Sequence, residues 1–228
     1  MRGQNATLLT LIPSGDDITT GHCLAFGGNR VIGNCPLSGQ EIEAVLVGAG
    51  KTSGTLMLPV EGFTVVVDPA QRYKTLYCFG AGHVALPTAH IAALVGFRVV
   101  VTDDRPEFAN AERFPDALEI RVIDDFNHAL QGIELNKDSF IVIVTRGHML
   151  DRAVLAQSLQ TETGYIGMIS SRKKRDTIYQ ALLTEGFTRD DLARVHSPIG
   201  IAIGAETPEE IAVSIVAELI DERGKQQA

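Results

Sequence analysis

Two hydrophobic rhythms divide the chain. Up to about Asp68, short apolar or β-branched runs alternate with turn residues. The runs are Ala6–Ile12, His22–Phe26, Arg30–Ile32, Thr55–Leu58 and Phe63–Val67, punctuated by Ser-Gly-Asp-Asp, Gly-Gly-Asn, Gly-Asn and Glu-Gly. That pattern predicts strands joined by turns. Gln40–Val47 reads as a short helix and Asp68-Pro-Ala-Gln-Arg as a linker.

From Tyr73 the rhythm changes. Thr75–Phe79, Phe97–Thr102, Leu118–Val122, Phe140–Val144 and Tyr165–Ile169 predict strands, and the fourth is nearly all β-branched, as central parallel strands are. Between them, Val84–Val95, Phe126–Leu130, Leu150–Leu159 and Lys173–Leu183 predict helices, with Gly96 and Gly186 just past two helix ends. The final helix is the best specified. Thr207-Pro208-Glu209-Glu210 supplies an N-cap, a proline at the first helical position and a capping-box glutamate, and Ile211, Ile215 and Leu219 recur on one face. Alternation of strand and helix implies a parallel sheet with right-handed crossovers. The expected class is α/β, with a small β-rich domain over 1–72 and a doubly wound parallel sheet over 73–228.

Composition narrows the function classes. The 228 residues are 45% hydrophobic and 21% charged, values of an ordinary globular chain. No apolar run reaches the roughly 18–20 residues that span a bilayer, and Met1-Arg-Gly-Gln-Asn lacks the apolar core of a signal peptide. A cytoplasmic protein without a membrane partner is the expectation. The net charge of −8 argues against a nucleic-acid partner. Three cysteines, Cys23, Cys35 and Cys78, form no C-x-x-C pair, which argues against a disulfide framework and against a zinc site.

Gly80-Ala81-Gly82-His83-Val84-Ala85 fits G-x-G-x-x-A between a strand and a helix. Gly80 permits the tight turn, Gly82 lets the backbone approach a diphosphate, and Ala85 lets helix and sheet pack closely. An anion would rest on amides at the helix start. Asp103 closes the second strand 23 residues after Gly80, near the spacing of a ribose-binding acid. These features make the sheet Rossmann-like and suit an NAD-like ligand, although Arg105 beside the acid could pair with a phosphate. A frame that has lost its nucleotide, or that takes another phosphate ligand, stays open.

The other polar clusters also follow strands: Asp103-Asp104-Arg105, Thr145-Arg146-Gly147-His148, Ser170-Ser171-Arg172-Lys173 and His196-Ser197-Pro198-Ile199-Gly200. Ligands of open parallel sheets bind at that rim. His148 and Asp151 are candidates for an acid–base pair, with a helix cap and a satisfied histidine as the alternative. His83 either meets the ligand or merely starts its helix. The run from Arg172 to Arg175 opposes a helix dipole, so it either meets an anion or forms a solvated face. Glu206, Glu209 and Glu210 read as helix-start electrostatics, and Cys78 as a packed thiol.

Longer stretches resemble one family. Phe79-Gly-Ala-Gly-His-Val-Ala85, Val101-Thr-Asp-Asp-Arg-Pro-Glu-Phe-Ala-Asn110, Glu112-Arg-Phe-Pro115 and Val144-Thr-Arg-Gly-His148 are similar to motifs of the XdhC/CoxI family. So are Tyr165-Ile-Gly-Met168, Ser170-Ser-Arg-Lys173, His196-Ser-Pro-Ile-Gly200 and Glu206-Thr-Pro-Glu-Glu-Ile-Ala-Val-Ser-Ile-Val-Ala-Glu218. They occur in order and cover Tyr73–Ile220. The resemblance implies an accessory factor for xanthine dehydrogenase and related molybdenum hydroxylases, one that binds the molybdenum cofactor (molybdopterin) and assists its sulfuration with a cysteine desulfurase and its insertion. It also implies a homodimer, and ligand-side roles for Gly80, Gly82, His83, Asp103, Arg105, Arg146, His148, Ser170, Arg172 and His196. The first region departs from the family: Pro13–Thr19 and Ile32–Glu41 stand where members carry Gly-Ser-Ala-Pro-Arg and a Gly-Thr-Ile-Gly-Gly-Gly stretch, so this part is shortened and divergent. An NAD(P)-dependent oxidoreductase and a nucleotide-sensing regulatory module remain the alternatives.

Overall fold

Along Leu8-Leu9-Thr10-Leu11-Ile12 the strand period of two turns Leu9 and Leu11 inward, and both are fully buried. The computed structural model describes residues 6–14, 21–26, 30–49, 55–69 and 73–226, which fall into two compact units divided between Arg72 and Tyr73. In the first, β1 (Ala6–Pro13), β2 (Gly21–Phe26), β3 (Arg30–Gly33), β4 (Leu56–Val60) and β5 (Phe63–Pro69) form an antiparallel sheet in the order β3-β2-β1-β5-β4. Helix α1 (Gly39–Ala49) packs Ile42 and Val45 against Leu9, Leu11, Cys23, Val65 and Val67. Its start is capped reciprocally. The Ser38 amide donates to the Glu41 carboxylate at 2.7 Å, and the Glu41 amide donates back to Ser38 Oγ at 3.3 Å. Asp68 and Pro69, read as the start of a linker, instead close β5. Residues 70–72 and the predicted turns at 15–17 and 27–29 lie outside the described residues.

The second unit carries a six-stranded parallel sheet. Its strands are β6 (Thr75–Phe79), β7 (Arg98–Asp103), β8 (Glu119–Val122), β9 (Ser139–Ile143), β10 (Tyr165–Met168) and β11 (Val195–His196), in the order β11-β10-β9-β6-β7-β8. The chain runs outward from β6 in one direction and then from β9 in the other, so the two halves meet at a switch point between those strands. Helices cover both faces. α2 (Ala85–Leu94) and α6 (Pro208–Lys225) lie on one, with Ala85, Ala89, Ala92, Ile215 and Leu219 in a shared core. α3 (His148–Leu159) and α4 (Arg172–Thr184) lie on the other, through Val154, Leu155, Ile178 and Leu182. Phe140, Ile141, Val142 and Ile143 are therefore sealed from solvent on both sides. Each such side chain contributes roughly 1.5–3 kcal/mol.

Helix ends follow the local chemistry. Gly96 (φ 90°) closes α2: its amide donates to Ala93 O, and the Phe97 amide donates to Ala92 O. The predicted helix over Phe126–Leu130 is instead a three-residue 3₁₀ turn, Phe126–His128. The reason is Gln157 on α3. Its side-chain amide donates to Phe126 O at 2.8 Å and accepts from the Leu130 amide at 3.2 Å, the two groups that a further helical turn would join. A short helix α5 (Arg189–Ala193), capped by Thr188 and Asp191, is too brief to show a period in the sequence.

Edge strand β11 is held to α6 by His196, whose Nδ1 pairs with the Glu218 carboxylate and whose ring leans on Tyr165, centroids 4.6 Å apart. The Glu218 hydrogen bond holds the His196 pKa above its ordinary value, against partial burial. A histidine stabilised in its charged form contributes fully below about pH 6.5 and loses that contribution as pH rises through the raised folded value. Chemical denaturation across this range should show wild-type stability falling with alkalinity above pH 6.5, and a flatter profile in His196→Gln. At the other end of the strand–helix unit, Thr207 Oγ1 accepts from the Glu210 amide at 3.2 Å while Glu210 accepts from the Thr207 amide at 3.1 Å. Thr207→Ala should lower unfolding stability by about 1 kcal/mol, read by helical circular dichroism in urea.

Candidate functional site

The loop after β6 leaves the sheet through a passage that admits only glycine. Gly80 adopts φ 111°, its amide donates to Thr102 O at 2.8 Å, and a Cβ there would strike the carbonyl of Val144, just past the end of β9. Two residues on, the space opens: nothing lies within 4 Å of a Cβ built on Gly82. Val84 precedes α2 without a side-chain cap. The amides of Gly82, His83 and Val84 donate to no protein acceptor among the described residues, so they form the loop's unsatisfied donor set. The His83 side chain is exposed.

Beside this loop, Asp103 ends β7 with its side chain 1% exposed. Oδ1 accepts from the Arg105 amide at 3.1 Å and from Arg105 Nε at 2.9 Å. Oδ2 accepts from the Ala81 amide at 2.8 Å and from Arg105 Nη2 at 3.1 Å. The predicted ribose acid is therefore turned into the loop and onto its neighbour. The Arg105 guanidinium lies 3.8 Å from the Phe108 ring centroid. Arg113, missed in the sequence reading, donates to Ala81 O at 2.9 Å and to Phe108 O at 2.8 Å, so it grips the loop from outside. Its only sequence signal is its place in Glu112-Arg-Phe-Pro115.

Arg146 follows β9 and pairs two-pronged with Asp104, which follows β7. The pair thus reaches across the end of β6, at the switch point. Hydrogen bonding to Arg146 holds the Asp104 carboxyl below the ordinary range, against its partial burial. Arg146 remains 44% exposed on its side chain, and an ion pair so open to water contributes only about 0–1 kcal/mol, so an incoming anion can compete for the guanidinium.

The expected pairing of His148 with Asp151 is not formed. Asp151 is fully buried, accepts from Thr145 Oγ1 at 2.6 Å and the Thr145 amide at 3.2 Å, and pairs with Lys174 at 2.6 Å. Burial pushes its carboxyl up, while the bonds from Lys174 and Thr145 pull it down. His148 is exposed in the first turn of α3. Asp151 thus fastens the loop after β9 to the start of α4 instead of polarising a histidine. Of the basic run, Lys174 serves Asp151 and Arg175 donates to Ser197 O. Arg172 and Lys173 are exposed, with no side-chain partner among the described residues.

Farther along the rim, Ser170 and Ser197 share a hydrogen bond of 2.7 Å between the loops after β10 and β11. His196 is turned to Glu218 on α6. In the sequence Glu218 stands out only as the last residue of the motif that begins at Glu206. Bonds join Ala81, Asp103, Arg105 and Arg113 into one network, with Asp104 and Arg146 beside it; His83, His148, Arg172 and His196 make no bond to it. Among the described residues, no three His, Cys, Asp or Glu side chains are arranged to hold a metal ion, and no helix is long and apolar enough to cross a membrane. Burial pushes the Cys78 thiol up to about 12, which keeps it unreactive near neutrality.

Comparisons agree with this architecture. The chain is 31% identical over 212 residues to a Bacillus subtilis (strain 168) protein named as a probable xanthine dehydrogenase subunit, covering 90% of this chain and 59% of that one. It is 24% identical over 168 residues to the molybdenum cofactor insertion chaperone PaoD of Escherichia coli (strain K12), covering 74% and 45%. A crystal structure from Bacillus halodurans, described as a xanthine dehydrogenase, superposes with a TM-score of 0.72 at 25% identity over 96% of this chain and 60% of that one. The chain spans from about a quarter to about three-fifths of the length of the curated relatives it matches. Residues 76–219 match the XdhC Rossmann domain, and with that match laid over the parallel sheet and its glycine loop, the chain belongs to the XdhC family.

Proposed function

We propose that this chain is an accessory protein of a xanthine dehydrogenase-like molybdenum hydroxylase, binding the molybdenum cofactor and assisting its insertion. The observation that carries the reading is the set of unpaired amides over Gly82, His83 and Val84 beside open space at Gly82. Backbone donors at a helix start suit a phosphate, and molybdopterin ends in one. Family membership and the name of the PaoD relative support the choice of ligand over other phosphates. The cofactor's molybdenum chemistry belongs to the enzyme that receives it.

In this reading the chain's own residues bind and orient. Gly82, His83 and Val84 would hold the phosphate through backbone N–H groups, and Arg146, whose pair with Asp104 is open to water, would be the cation available to it. Asp103 and Arg113 keep the Ala81 peptide fixed at both ends, so the loop is preorganised for its anion. Sulfuration by a partner cysteine desulfurase and assembly as a homodimer belong to the same proposal. The oxidoreductase reading is weakened by the two pairings described above: Asp151 holds Lys174, and Asp103 holds Arg105.

The test is the small molecule that leaves the protein on denaturation. Protein purified from cells rich in molybdopterin should release a pterin, identified by mass spectrometry and by the fluorescence of its oxidised form; repeated absence overturns the reading. Gly82→Val should reduce the released pterin at least about tenfold with little change in the melting profile, because a Cβ at that position meets no protein atom within 4 Å. Equal loading of this variant would separate the loop from the ligand. Arg172→Glu should weaken pterin retention if the α4 start faces the bound anion, and retention at the wild-type level assigns Arg172 to a solvated surface.

A further inference from the structure

We infer that Arg105 closes the ribose subsite of this Rossmann rim, so the loop after β6 takes a phosphate monoester that brings no ribose diol to the end of β7. The inference rests on the phosphate-loop reading and adds the class of ester. In dinucleotide sites the acid at the end of the second strand accepts from ribose hydroxyls. An ionised carboxylate offers about four lone-pair positions. At Asp103 all are taken from within the chain: two by the Arg105 amide and Nε on Oδ1, two by the Ala81 amide and Arg105 Nη2 on Oδ2. With its side chain 1% exposed, the acid has neither a free lone pair nor a face toward solvent for a sugar.

Arg105 is itself firmly seated. Its fork on Asp103 is charge-assisted, which makes these bonds roughly twice as strong as neutral ones. Its guanidinium lies over the Phe108 ring, and Arg113 fixes the Phe108 carbonyl. A ribose would have to break the fork and the stacking together. The amides of residues 82–84 are untouched by this closure, so an anion still reaches them. Molybdopterin without an attached nucleotide fits the class; a nicotinamide dinucleotide does not. Arg105 is thus a specificity-determining residue that acts by filling a place.

The 228-residue chain titrated with NADH and with phenyl phosphate tests this directly. The wild type should bind phenyl phosphate at least about tenfold more tightly than NADH. Arg105→Ala should raise NADH affinity about tenfold, with phenyl phosphate changed less than about twofold. Arg105→Lys keeps a cation beside the buried acid but cannot form the fork, and it should show a smaller gain, which preserves the test if the alanine variant unfolds. Wild-type protein that binds NADH as well as phenyl phosphate overturns the inference, as does NADH affinity that neither variant improves. Failure of every form to bind either ester instead removes the phosphate-loop reading, and this inference with it.

Discussion

One buried carboxylate organises the rim of the parallel sheet. Asp103 enters the protein interior at the end of β7, where an unpaired charge would cost several kcal/mol, and it is satisfied by a loop amide and by the arginine two residues on. That solution has a geometric result. The Ala81 N–H is drawn to Asp103 and its carbonyl is held by Arg113, and the amides that follow are left without a protein acceptor among the described residues. Burial of a charge and exposure of a donor set are two sides of one local fold. Gly80 makes both feasible, since any side chain there would strike the backbone just past the end of β9.

The rim carries many cations; Arg172 and Lys173 are loose, but the cations on its inner loops are paired. Arg105 faces Asp103, Arg146 faces Asp104 and Lys174 faces Asp151. Pairing of this kind keeps a net-acidic protein from presenting a broad positive field. Selectivity then rests on position instead of on attraction at a distance. The exposed pair at Arg146 is easily exchanged, whereas the sealed pairs at Asp103 and Asp151 shape the wall of the site.

The fold was legible because its signals are periodic and local. Strand–helix alternation, the Thr207–Glu210 cap and Gly96 each depend on residues a few positions apart, and each stands where expected. The 3₁₀ turn at Phe126 was not legible, because the group that ends it, Gln157, comes from a distant helix. The site shows the same divide. G-x-G-x-x-A marks the loop, but the partner of Asp103 is decided by a side chain that folds back over two residues, and that of Asp151 by a lysine 23 positions away. A motif reports which atoms stand near a ligand. It does not report which of them are already spent on one another.

Helix α6 has a wider role than covering the sheet. Toward its middle, Ser214 holds Ile201 O and Glu218 holds the Gly200 amide; at its far end Arg223 holds Val95 O, and Gln226 joins Lys74 and Gly164 O. At 1.5 Å per residue it is a strut of about 27 Å, bolted to the top and the base of the same layer. The span between Ile201 and Glu206 is therefore moored at both margins. Extra residues inserted there can bulge into solvent without moving a strand, whereas a deletion must drag a rod anchored at its opposite end. An insertion in that span should therefore cost the fold less than a deletion.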